Sequence, residues 1–129
     1  MARVTIAVVS FVLLAWFAVL VRDDQVASQA AQSVHENPEM GAAEWSRSMD
    51  RMRHAEFLNP GTEWRVIRAN YLLLRDKPGA LKVAESIVRG EPENLDAWLV
   101  ILKSAPDPAR RAAAQEQIRR LNPDPARAR

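Results

Sequence analysis

Two stretches, set side by side, decide how this chain is read: LNPGTEW, Leu58 to Trp64, and EPENLDAW, Glu91 to Trp98. Each passes from Pro through a few polar residues and an acid to Trp, and the two tryptophans stand 34 residues apart in a chain that has four. Proline and glycine end helices, and a polar residue followed by an apolar periodic run opens the next. Each stretch is therefore a boundary, and the segment between them is a candidate repeat unit.

Working outward, the intervening sequence divides into Thr62–Leu74, with Thr62 as N-cap and Trp64, Ile67 and Tyr71 on one stripe, and Ala80–Arg89, with Ala80, Ala84 and Ile87 on another. Asp76-Lys77-Pro78-Gly79 is read as the turn between them. Beyond Gly90-Glu91-Pro92, Leu95–Lys103 carries Trp98 and Leu102, and Pro108–Leu121 carries Ala114, Ile118 and Leu121, with Asp107 as cap and Pro108 at the first helical position. Upstream, Ala42–Phe57 places Trp45, Met49, Met52 and Ala55 at helical spacing. Alternating β-branched runs are missing after Asp24, so the fold class expected is all-α.

Trp64, Ile67, Tyr71, Ala80, Ala84, Ile87 and Pro92 together resemble the helix–turn–helix signature of the tetratricopeptide repeat, which recurs every 34 residues. The resemblance covers Ala42 to Pro123 as one full repeat, one shortened repeat and one half repeat. Arg68 and Leu102 depart from it, standing where the family has a small residue. It implies a short α-solenoid in which Trp and Tyr fill space between antiparallel helices. It also implies protein–protein interaction as the default activity, and an inner face formed by Thr62, Arg65, Ala69 and Leu72 with Asp96, Leu99 and Lys103. The family's carboxylate clamp is not carried over, because Ala69 stands where an Asn is required.

The N-terminal end reads differently. Val4 to Val21, VTIAVVSFVLLAWFAVLV, is 18 residues without a charge, between Arg3 and Arg22-Asp23-Asp24. At ~1.5 Å per residue it extends about 27 Å, close to the ~30 Å hydrocarbon core of a bilayer. The expectation is a single-pass transmembrane anchor over residues 1–24, contacting membrane lipid through residues 4–21. Its alternatives are a cleaved signal peptide and a core helix. Arg3 and the α-amine against Arg22 favour a cytoplasmic N-terminus and an extracytoplasmic repeat domain. Residues 25–41 are expected to be a linker that extends the anchor helix until Asn37-Pro38, residues 42–123 the repeats, and residues 124–129 a basic tail.

Composition narrows the chemistry. Eighteen basic and 16 acidic residues leave a net charge of +2, too balanced for general nucleic-acid binding. Without Cys there is no thiolate nucleophile or Cys-type zinc site, and His35 and His54 lie far apart with no HExxH. No GxSxG elbow, Walker loop or Rossmann glycine pattern occurs. No enzymatic activity, cofactor or metal is expected. The residues singled out for partner binding are Arg65, Arg68, Leu72, Leu99 and Lys103, a basic and apolar set suited to an acidic peptide segment. Solvated surface charge is the plainer reading of the cations. The expected function is an anchored adaptor that assembles or recruits an envelope complex. The alternative is a permanent accessory subunit of a larger membrane enzyme or transport machine.

Overall fold

A computed structural model describes residues 2–58 and 61–122, without the side chains of residues 2–8, 20 and 58. Six α-helices follow one another among them: α1 (Ala2–Glu36), α2 (Ala42–Leu58), α3 (Glu63–Leu72), α4 (Lys77–Gly90), α5 (Leu95–Ser104) and α6 (Pro108–Leu121). The all-α expectation holds. The chain divides into two compact units, Met1–Pro60 and Gly61–Arg129.

The first unit is a helical hairpin. Helix α1 presents Ala27, Ala30 and Val34, and α2 presents Met49, Met52 and Ala55, spacings of three and four that place each set on one face. All six are buried, with Ser48 and Met40 beside them. Asn37-Pro38 ends α1 as the sequence implies. The turn is held by Asn37 N–H donating to Ser33 O at 3.0 Å and Met40 N–H to Asn37 O at 3.1 Å. The packing partner of α2 is α1, although the sequence reads Ala42–Phe57 as a half repeat of the downstream array.

The anchor expected over Val4–Val21 is corrected: among the described residues no helix is long and apolar enough to cross a membrane. The described side chains of that run, residues 9–19 and 21, include the hydroxyl of Ser10. Residues 4–8 and Leu20 lie outside the described side chains. Helix α1 then continues through Arg22, Asp23 and Asp24 into the hairpin without a break. Phe11, Leu14 and Phe17 are each about two-thirds exposed or more, at 73%, 69% and 67%.

The second unit is two helical hairpins in tandem. Each helix packs on the next in sequence, and α3 also touches α5, the neighbour pattern of a helical-repeat arrangement. Its period differs from the tryptophan spacing. Helices α3 and α5 are 10 residues each and start at Glu63 and Leu95, 32 residues apart; α4 and α6 are 14 each and start at Lys77 and Pro108, 31 apart. Trp64 is the second residue of α3 and Trp98 the fourth of α5, so the 34-residue spacing does not join equivalent places. Trp64 is buried, at 6% exposure. Trp98 is only half-buried, and its indole N–H donates to Pro92 O at 2.8 Å within its own turn.

The buried stripes follow the helix phase. On α4 they are Ala80, Ala84 and Ile87, as the sequence implies. On α3 they are Trp64, Ala69 and Leu72, with Ile67 and Tyr71 half-buried, and on α5 Ala97, Val100, Ile101 and Ser104 displace Trp98 and Leu102. Helix α6 buries Ala114 alone, with Ile118 and Leu121 half-buried. Pro123 and residues 124–129 lie outside the described residues.

Asp76 is the N-cap of α4 instead of the middle of a turn, because its Oδ1 accepts from Gly79 N–H at 2.9 Å. Asn94 and Asp107 do the same for Ala97 N–H and Ala109 N–H, both at 3.0 Å. A Cβ placed on Gly79 would collide with the Asp76 carboxylate. Gly79→Ala is therefore expected to cost about 1 kcal/mol, the worth of the cap it displaces. Adding Asp76→Ala should cost little more, and full additivity in urea unfolding would refute this account. Ala84 has no solvent exposure, so Ala84→Leu should overpack the α4 interface and lower stability by about 1–3 kcal/mol. An unchanged unfolding midpoint would contradict the packing.

Candidate functional site

Of the five residues that the sequence singles out, the second unit places three around α3 and two on α5. Leu72 is in the core, at 8% exposure. Arg65 is half-buried and donates from Nη2 to Ser86 Oγ on α4 at 2.6 Å, while that hydroxyl donates to Val83 O. Its guanidinium thus ties α3 to α4. Arg68 is half-buried and engaged within the structure. Leu99 is half-buried on α5, and Lys103, at the C-terminal end of the same helix, is exposed.

Thr62 does not cap α3 with its side chain. Its hydroxyl instead donates to Glu91 Oε2 at 2.8 Å, and Asn94 Nδ2 donates to the same oxygen at 3.0 Å. These bonds fasten the start of α3 to the turn between α4 and α5. They hold the Glu91 carboxyl below the usual glutamate range, the Asn94 bond first and the Thr62 bond second, with the Arg65 charge adding a smaller share. A carboxylate whose folded pKa is depressed contributes stability that is complete above its unfolded value and is lost as pH falls through its folded one. The wild-type advantage in melting temperature over Glu91→Gln should therefore shrink on acidification below about pH 4. A difference that stays constant from pH 7 to pH 3 would show that the carboxylate charge is not what holds the turn.

Lys103 lies in a recess that the sequence reading does not assemble. Lys77, Pro78 and Leu81 of α4, Lys103 and Ser104 of α5, Ala105 and Pro106 of the connecting turn, and Arg111 of α6 enclose about 330 Å³. The three cations are exposed, whereas Ser104 and Ala105 form a buried floor. Arg111 Nη1 donates to Ala105 O at 3.3 Å, which orients the guanidinium over the turn. A second recess of about 320 Å³, between α4, α5 and α6, is lined by Glu85, Val88, Arg89, Trp98, Ile101, Arg110 and Ala113. Arg110 Nη1 and Glu85 Oε1 close it at 2.8 Å. In the first unit, Asp23, Val26, Asp50, Arg51, His54 and Ala55 border about 270 Å³. Among the described residues no group of three or more His, Cys, Asp or Glu side chains is placed to hold a metal ion.

The signal for the basic recess was present but scattered. Lys77 and Arg111 lie 26 positions before and 8 after Lys103, and only the fold brings them to the same end of the hairpins. Comparison with protein-family models, curated proteins and solved structures finds no match to this chain.

Proposed function

We propose that the second unit is a protein-binding module of the tetratricopeptide type, which displays surface for a peptide segment of a partner and carries out no chemistry of its own. The observation that carries this reading is the order of packing: α3 on α4, α4 on α5, α5 on α6, with α3 also beside α5. That order puts the first helices of two hairpins next to each other, the surface that repeat proteins use for binding. Leu99 and Lys103 are the members of the expected set available on that surface, whereas Leu72 is committed to the core and Arg65 to Ser86.

The test is a photo-crosslinker at Asp96, exposed one turn before Leu99 on α5, in the full chain in its source cells. One protein partner should be trapped, and Leu99→Glu with Lys103→Glu should lower its capture at least about tenfold while helicity by circular dichroism is kept. Undiminished capture by that variant would remove the α5 surface from the proposal. The accessory-subunit alternative requires the partner to co-purify at a fixed ratio without crosslinking; an adaptor exchanges.

A further inference from the structure

We propose that the recess bounded by Lys77, Lys103 and Arg111 is a docking site for an acidic segment of a protein partner. This rests on the module reading above but moves the point of recognition from the inner face to the end of the hairpins where α4 and α6 begin.

The argument is one of charge and shape. Three cations from three different helices line one opening of about 330 Å³, and no acid lines it. Among the described residues none of the three makes an ion pair. The acids nearest in sequence, Asp76 and Asp107, accept from the N–H groups of Gly79 and Ala109 at the starts of their own helices. Arg111 is held by the Ala105 carbonyl through one nitrogen, which leaves other N–H groups of its planar fork for a carboxylate. Lys77 and Lys103 supply point charges on flexible stems around it. Pro78, Leu81 and Pro106 add apolar wall beside the charges, so the complementary ligand has a carboxylate next to an aliphatic group.

The two other recesses described are of mixed charge, with Glu85 beside Arg89 and Arg110 in one and Asp23 and Asp50 beside Arg51 in the other. The one beside Trp98 closes on its own Arg110–Glu85 pair, and in the first unit Asp50 pairs with Arg53 at 2.8 Å. A nucleic-acid backbone needs a basic stripe that tracks many phosphates, and a compact opening flanked by proline and leucine suits side chains of a peptide better.

The test uses the full chain and a dye-labelled, C-terminally amidated peptide of eight alternating Glu and Leu residues, followed by fluorescence anisotropy. Saturable binding is expected, weakened about tenfold at high salt as exposed charges are screened. Lys77→Gln with Arg111→Gln should reduce it at least about tenfold, and Arg111→Lys, which keeps the charge, should recover part of the loss. Circular dichroism monitors folding of each variant. Binding of an otherwise identical Gln–Leu peptide with equal affinity would overturn the proposal. So would wild-type affinity in the double variant, or a preference for phosphatidylserine vesicles or single-stranded DNA over the peptide. If Lys77 and Arg111 can be changed without effect while Leu99→Glu abolishes partner crosslinking, the recess assignment fails and the module reading stands.

Discussion

Five alanines without solvent exposure, Ala69, Ala80, Ala84, Ala97 and Ala114, set the geometry of the second unit. They are spread over all four helices, with two on α4, the helix that packs against both α3 and α5. Helix axes settle at separations of about 8–10 Å according to the side chains between them, and alanine permits the closer end of that range. Larger residues such as Trp64, Ile87 and Ile101 then fill what remains beside the crossings. A core of this kind buries little area per residue. The ends of the helices consequently matter more than they would in a leucine-packed bundle.

The sequence provides for those ends in detail. Asp76, Asn94 and Asp107 each satisfy a backbone N–H that the helix cannot pair for itself. Thr62, Glu91 and Asn94 form a polar knot across 32 residues of chain. Arg65 and Ser86 add a second tie between α3 and α4. These bonds lie on or near the surface, so each is individually modest, but they fix the crossing of helices whose alanine faces have little shape to lock them.

The same contrast explains what could be read in advance. The buried face and end of α4 are legible because its apolar residues fall at one phase and Gly90 follows, whereas Asp76-Lys77-Pro78-Gly79 reads as a turn and proves to be the cap and first turn of the helix. The buried face of α5 is not legible: in LDAWLVIL apolar residues occupy almost every direction, so periodicity gives no phase and the eye settles on Trp98 and Leu102. The fold instead buries Ala97, Val100 and Ile101, because the small residue must face the helix crossing and the large ring can lie across its own turn. The 34-residue tryptophan spacing was a true feature of the sequence that does not coincide with the helix offsets of 32 and 31. In α1 the uncharged run is legible as apolar, but among the described residues it does not amount to a membrane span, and the helix that contains it continues past Arg22 into a packed hairpin. A sequence shows that Arg65 and Leu72 are basic and apolar, yet not that one is spent on Ser86 and the other on the core.

Under the proposed binding role, helix α6 narrows the surfaces of the second unit open to a partner. Short repeat arrays must end in a unit whose outer face is polar, or the stack continues by association. Among its described residues, Arg110, Arg111, Arg119 and Arg120 are exposed, Glu116 bonds to Arg119, and Ala114 is the one buried side chain. Arg110 bonds to Glu85 on α4 and Arg111 to Ala105 O, so both lie along the flanks of α6 that border its neighbours. Two surfaces then run across several helices: the side shared by α3 and α5, and the end where α4, α5 and α6 bring Lys77, Lys103 and Arg111 around one opening. At that end a single carboxylate can meet charge from three helices at once. Such an arrangement depends on how the two hairpins pack, so the alanine crossings between their helices also position the recess.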